Sequence, residues 1–324
     1  MNVALCLMIR FRLSVEDLAN TRFAISPIME TVCSLWALRD PGRYALHLPW
    51  LRSVRPGLAA LDAGLLLSLV GPTRALPDFL TPRPEVFVPD IDDELATVRA
   101  TSPEVVRRDL VATYAPDPVP ESLADLPLDV LCDLLRDYWE LAIAPMWPQV
   151  RLLLEADMTY RARQLATGGA RLLFADLHPN VRWHDGTLSI SDMIGRHTIS
   201  VSGRGLLLVP SLFAYKPVPP LLPDMPPTFS YPCRGVATLW ATPERADLTA
   251  LTALIGAART GLLALLEEPL TTSEIARRLK VTPSAVSQHL RVLHATGLVT
   301  RARSGRNVLY RRGELGDQLV AQSS

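Results

Sequence analysis

The sequence predicts an α+β chain in two parts. A large mixed domain over residues 1–242, helices followed by an antiparallel meander, precedes a smaller module over 243–324, helices closed by a basic hairpin. Three observations carry this. Apolar residues recur at helical spacing between proline stops as far as residue 167. The pattern then turns to alternation, and beyond residue 243 it returns to helical spacing before two short β-like runs.

Composition agrees with two folded cores. At 324 residues the chain exceeds one ordinary domain, and 48% hydrophobic with 20% charged residues excludes disorder as its general state. The most apolar run, GLAALDAGLLLSLVG at 57–71, is too short to span a bilayer and carries Asp62, so no membrane partner is expected. MNVALCLMIRFRLS lacks a basic lead and a small-residue cleavage site, which argues against export and for a cytoplasmic protein starting at Met1 or Met8. Cysteines 6, 33, 132 and 233 form no CxxC pair and read as reduced, buried thiols.

Taken in order, the strand-like MIRFRLS opens the fold. In SPIMETVCSLWALRD (26–40) Ser26 is a helix N-cap, Pro27 the first helical residue and Glu30 a first-turn acid, with Ile28, Val32, Leu35 and Trp36 on one buried stripe. Further helices are expected at 58–70, 92–99, 103–114, 121–141 and 147–167. TPRPEVFVPD (81–90) is extended, since each proline pushes its predecessor out of the α region. The acidic DIDDE (90–94) suits a helix N-terminus better than an acid/base pair.

After TGGA (167–170), RLLFADL, VRWHDGTLSI, RHTISV and GLLLVP read as short strands of the meander, and Asp185-Gly186 as a two-residue hairpin turn. Eight of the 23 residues from Pro210 to Pro232 are proline, which predicts a long loop across the surface. CRGVATLWAT supplies one more strand or a short helix.

The C-terminal module begins with TPERADLTALTALIGAARTGLLALLEEP (242–269), a lead helix with Leu248, Leu251, Leu254, Ile255, Leu262, Leu265 and Leu266 at helical spacing. In TTSEIARRLK, Thr271 and Glu274 have the spacing of a capping box, with Ile275 and Leu279 facing inward. VTPSAVSQHLRVLHATGLV (281–299) then starts a helix with Thr282 as N-cap and Pro283 at its first position. Val286, Leu290 and Leu293 line its inner side, leaving Ser284, Ser287, Gln288 and Arg291 outside. Short hydroxyls admit a close backbone, glutamine can pair bidentately with adenine, and arginine reaches guanine or phosphate. His289 and His294, on the same helix, suit helix stabilisation or phosphate contact. GLVTRARSGRNVLYRR reads as strand, turn and strand, with Arg301, Arg303, Arg306 and Asn307 around the turn.

Charge is distributed accordingly. Residues 245–324 hold 11 Lys and Arg against 6 Asp and Glu, leaving 22 against 27 in the first 244. A basic module on an acidic body places a phosphate-bearing partner at the tail. These are the parts of a winged helix-turn-helix reading a double-stranded DNA operator through Thr282, Ser284, Ser287, Gln288, His289, Arg291, Arg301, Arg303, Arg306 and Asn307. One such module covers half a site, so a homodimer on a pseudo-palindrome is expected.

In its lead helix, its TTSEIARRLKVTPSAVSQHLRVLHATGLV core and its RARSGRNVLYRR wing, the stretch 248–312 resembles the DNA-binding domain of the ArsR/SmtB family of bacterial transcriptional regulators. The body, through GLLLVPSLFAY and YPCRGVATLW, resembles an uncharacterised N-terminal domain on some actinobacterial members, which implies no particular ligand. The resemblance implies a transcriptional regulator acting as a repressor. Metal-sensing members carry cysteine pairs near the helix before the recognition helix, or Asp and His on a terminal helix. TTSEIARRLK and GELGDQLVAQSS hold neither Cys nor His, so no metal and no cofactor are expected.

For residues 1–242 three roles remain: a sensor of a small-molecule effector that modulates DNA binding, a ligand-free dimerisation scaffold, or an enzyme fused to a DNA reader. The enzyme has least support. His178, His184 and Asp185 lack metal-motif spacing, and neither a phosphate loop nor a GxSxG elbow is present. The sensor reading rests on six tryptophans with Phe213, Tyr215 and Tyr231, which either line an apolar pocket or pack as plain core.

Overall fold

A computed structural model describes residues 7–240, 248–304 and 307–321, divided between two compact units, Met1–Trp240 and Ala241–Ser324. The N-terminal unit has a helical core built around the helix Pro27–Arg39. Ser26 caps it by accepting from Met29 N, and Pro27 opens it. The sequence suggests one buried stripe, yet every residue from Pro27 to Ala37 is buried, Glu30, Thr31 and Ser34 included. The helices Ile91–Arg99 and Leu128–Ala142 pack on it and on each other. Asp90 caps the former by accepting from Asp92 N, as its acidic lead predicts.

Two expected helices are divided. Asp62 accepts from Leu65 N and starts Ala63–Ser68 afresh, leaving only a 3₁₀ turn at Gly57–Ala60. Pro127 separates Glu121–Ala124 from Leu128–Ala142, because a proline cannot donate within a continuing helix. The helix Pro103–Tyr114 forms with Ser102 as its cap.

The long helix Trp147–Ala175 departs further from expectation. Gly169, at φ 61° and ψ −161°, breaks it where TGGA suggests a change, but the chain resumes as helix, so RLLFADL is not a strand. Leu173, Phe174 and Leu177 are buried while Arg171, Ala175 and Asp176 are exposed, a helical spacing that short apolar runs share with strands. The fully buried Arg161 reaches back to Asp176 across the kink.

Among the described residues, seven strands of this unit form two sheets. Strands β1 (Met8–Arg12), β3 (Val181–His184), β4 (Thr187–Ser191) and β5 (His197–Ser200) lie in the order β3-β4-β1-β5; β2 (Arg22–Phe23), β6 (Leu207–Ser211) and β7 (Thr228–Pro232) in the order β2-β6-β7. The β3–β4 hairpin turns at Asp185-Gly186 as its sequence dictates, both residues at positive φ. The antiparallel meander does not form. β1 inserts between β4 and β5, antiparallel to one and parallel to the other, and β2, β6 and β7 are all parallel. The cause is burial: Ile9 and Phe11 are buried in the second apolar cluster, so the strand from the far end of the unit takes a central place. The proline-rich stretch 212–227 supplies the crossover that a parallel β6–β7 pair requires, which takes about a dozen residues or more. It lies at the surface only in part: Pro223, Asp224 and Pro226 are exposed, but Leu212, Phe213, Ala214, Pro217 and Pro219 are buried, and β7 is buried from Thr228 to Tyr231.

The C-terminal unit has helices Leu248–Ile255, Ala257–Leu265, Thr272–Leu279, Pro283–Ala295 and Glu314–Ala321, with a sheet of β8 (Leu270–Thr271), β9 (Val299–Ser304) and β10 (Asn307–Arg312) in the order β8-β10-β9. The single lead helix is in fact two, because Gly256 at φ 85° interrupts it, and Leu254 is exposed rather than inward. Leu262, Leu263, Leu266, Ile275, Val286, Leu290 and Leu293 make one apolar cluster. The fold class is α+β, with a helix-turn-helix at its C-terminal end.

Candidate nucleic-acid interface

The helix-turn-helix is set by local chemistry. Thr271 and Glu274 cap the support helix Thr272–Leu279 reciprocally, at 3.2 Å for Glu274 N to Thr271 Oγ1 and 2.8 Å for Thr271 N to Glu274 Oε2. Those bonds hold the Glu274 carboxyl below its ordinary range. Lys280 ends the helix in the left-handed region at φ 56°, which turns the chain sharply into Thr282. There Thr282 Oγ1 accepts from Ala285 N at 3.4 Å and contacts Ser284 Oγ at 3.2 Å, and Pro283 begins the recognition helix Pro283–Ala295.

Val286, Leu290 and Leu293 are each about 1% exposed and anchor that helix in the core. At about 100° per residue, Ser284, Ser287, Gln288 and Arg291 fall on the far side, and all four are exposed. His289 does not join them. It is half-buried on the opposite flank, whereas His294 lies beside Ser287 on the open side.

The wing forms as an antiparallel pair in which Arg303 opposes Val308 and Arg301 opposes Tyr310. Arg301 and Arg303 are exposed, Asn307 opens β10, and Arg306 lies outside the described residues. Ser287, Arg291 and His294 of the recognition helix and Arg301 and Tyr310 of the wing line one shallow polar groove of about 210 Å³. Arg291 and Arg301 form no ion pair among the described residues, so their guanidiniums remain available to an external acceptor. Hydroxyl, imidazole and guanidinium donors facing one groove suit the acceptor-rich edges of bases and phosphates.

Tyr310 joins the groove although its sequence position does not single it out, and Lys280 lies outside the groove lining. Tyr310 alternates inward from the wing, and its place in the groove follows only from strand register. Lys280 sits at the turn between the two helices, and its position there was legible. Arg312, by contrast, is structural: its Nε meets Asp317 Oδ1 at 2.8 Å and its Nη1 the Leu263 carbonyl at 3.3 Å, tying the wing to the helices behind it.

In the N-terminal unit the side chains weighed for the enzyme reading do not come together in one site among the described residues. His184 and Asp185 are almost fully exposed, with Nδ1 and Oδ2 at 3.2 Å, and among the described residues no three His, Cys, Asp or Glu side chains come together as a metal site. Cys33, Cys132 and Cys233 are buried free thiols, and Cys6 lies outside the described residues. Of the aromatics expected to line a pocket, Phe213 packs on Trp50 and His47, and Tyr231 lies in the sheet core. Tyr215 alone of the three meets a cavity, stacked edge-on against Trp36 at 5.6 Å. Among the described residues no helix is long and apolar enough to cross a membrane.

The family described as "Bacterial regulatory protein, arsR family" matches residues 262–301, from the second lead helix into β9. Two solved structures are similar over a small part of the chain. ZitR of Lactococcus lactis, a doubly substituted variant in apo form, is 25% identical over 23% of this chain and 60% of its own, with a TM-score of 0.21. Reduced HlyU of Vibrio cholerae is 29% identical over 23% of this chain and 80% of its own, also at 0.21. The chain therefore spans three fifths of the length of ZitR. No curated protein matches it.

Proposed function

From a chain whose residues 262–301 carry the arsR-type helix-turn-helix of a DNA-binding transcriptional regulator, we propose a cytoplasmic repressor that binds a double-stranded operator as a homodimer. The observation that carries this reading is the groove in which Ser287, Arg291 and His294 of the recognition helix meet Arg301 of the wing. Thr282, Ser284 and Gln288 extend the contact toward base edges, while Arg303, Arg306 and Asn307 extend it along the backbone; His289, on the flank, supports the helix instead. Two modules are needed to read a pseudo-palindrome whose half-sites lie about one turn apart. A dimer so placed represses by occupying the promoter. The N-terminal unit is a regulatory domain without catalytic activity, and it modulates operator affinity in response to a small effector.

The test is selection of bound duplexes from a randomised library, followed by fluorescence anisotropy. A pseudo-palindrome should emerge. Gln288→Ala should then cost about 1 to 3 kcal/mol on that sequence and relax choice at one base position. Arg301→Ala should weaken binding alike on all duplexes and lower the slope of log K against log salt by about one unit. Failure to enrich any sequence, or full affinity in both variants, would refute operator binding through this face.

A further inference from the structure

The N-terminal unit contains a cleft of about 560 Å³, within the range of small-molecule sites, which runs from about 300 to 1,000 Å³. Prolines of two connections, 82–84 and 217–226, make much of its wall, so its shape is largely fixed before any ligand arrives. Trp36, Phe79 and Tyr215, together with Met29 and Val218, give it an apolar surface.

Its charge runs against that of the unit around it. The first 244 residues carry more acids than bases, yet the cleft is lined by Arg22, Arg74, Arg83 and Lys216 against only Asp78 and Glu85. Asp78 is already committed: it accepts from Leu221 N at 2.9 Å and Leu222 N at 3.1 Å. Arg74 is paired with Asp40 at 2.6 Å. Arg22 and Arg83 have no such partner among the described residues, whereas Lys216 meets the Asp192 carbonyl at 3.4 Å, feels the Asp192 charge and lies over the Tyr215 ring at 5.7 Å. Arg83 is held in place by the Pro227 carbonyl at 2.8 Å. Partial burial, and then the repulsion of Arg22 and Arg204, pull its guanidinium below the usual arginine range. Cations pressed together without a counter-charge are stabilised by an anion that enters between them.

We propose that this cleft binds a small amphipathic anion, its oxyanion head on Arg22 and Arg83 and its apolar body along Trp36, Phe79 and Tyr215. That such an anion is the effector of the regulator rests on the function proposed above; that it binds does not.

The full chain is titrated with the anionic fluorophore 8-anilinonaphthalene-1-sulfonate and with its uncharged analogue N-phenyl-1-naphthylamine. One saturable sulfonate site per chain is expected. Arg22→Glu, at an exposed position, should weaken the sulfonate about tenfold or more, the scale of one lost charge-assisted pair, and leave the neutral probe nearly unchanged. Thr97→Trp, on the exposed helix face that lines the cleft, should block both probes without touching the core. Decanoate or decyl phosphate should displace the sulfonate and decanol should not, and whichever anion competes better names the head group. Absence of a saturable site, or sulfonate binding unchanged in both variants, would overturn the proposal and leave the DNA-binding reading intact. A probe that binds as described while operator affinity stays constant would confirm the site and refute its regulatory role.

Discussion

The two units differ in how their acids and caps are used, although each also has distant contacts, such as Arg312 with the Leu263 carbonyl in the C-terminal unit. In the C-terminal unit the two helices of the helix-turn-helix are capped within three residues, Thr271 with Glu274 and Thr282 with Ala285 N. The N-terminal unit has local caps too, at Ser14, Ser26, Asp62 and Ser102. It adds buried carboxylates that reach across the sequence. Glu94 accepts from Ser26 Oγ at 2.6 Å and Ile28 N at 2.8 Å, Glu30 from Leu212 N at 3.0 Å, and Asp17 from Gly203 N at 2.7 Å. A local cap forms with its own turn. A distant one forms only when the whole unit has folded, so it ties helices to segments far along the chain and makes the unit cooperative at the expense of burying an acid.

The largest effect that separates the units should come from removing one distant cap. Glu94→Ala leaves Ser26 Oγ and Ile28 N buried without their acceptor and should cost the N-terminal unit about 3 kcal/mol. All six tryptophans lie within residues 1–240, so tryptophan fluorescence in urea follows that unit alone. A midpoint shift no larger than that of the exposed Glu140→Ala would mean that the distant bonds do not fasten the unit.

Acidity should divide the units next. Burial raises Glu30 to about 7, Asp78 to about 7 and Glu94 to about 8, all above the ordinary carboxylate range. The folded unit therefore binds protons that the unfolded chain releases, and its stability is greatest below the unfolded values and falls as pH rises through the folded ones. Burial lowers His47 to about 4 and lowers His178 and His197 as well, which works the other way, chiefly below and just above the ordinary histidine value of 6.5. Between pH 6.5 and 8 the carboxylates outweigh the histidines. The N-terminal unit should lose on the order of 2 kcal/mol over that interval, read again by tryptophan fluorescence. Constant stability there would show that the three acids are charged in the folded unit.

These differences also explain what was legible. The capping box at Thr271, the Thr282 cap and the 286/290/293 stripe are signals within one turn or one helix, and each folds as its spacing says. Asp185-Gly186 is equally local. The sheet order was not legible, because nothing near Met8 announces that it will lie between β4 and β5, and parallel pairing leaves no turn signature. RLLFADL went astray because a seven-residue apolar run fits both periods. At the candidate site the exposed face of the recognition helix follows from period alone. The groove shared with Tyr310 needed the wing's register, and the cationic cleft needed residues from Arg22 to Lys216 brought together by the fold.

The smallest effect concerns the C-terminal unit and tests whether its caps are as local as they look. Thr282→Ala removes the acceptor of Ala285 N at an exposed position and should lower stability by about 1 kcal/mol. Thr282→Ser keeps the hydroxyl and should restore most of it, whereas Val286→Ala opens a cavity in the core and should cost about 2 kcal/mol. Because this unit has no tryptophan, the measurement is far-UV circular dichroism of the full chain, with tryptophan fluorescence as the simultaneous record of the other unit. A local cap predicts that Thr282→Ala shifts the first signal and leaves the second in place. If both signals shift together, the cap at Thr282 is coupled to the N-terminal unit, and the contrast between locally and distantly fastened units no longer holds.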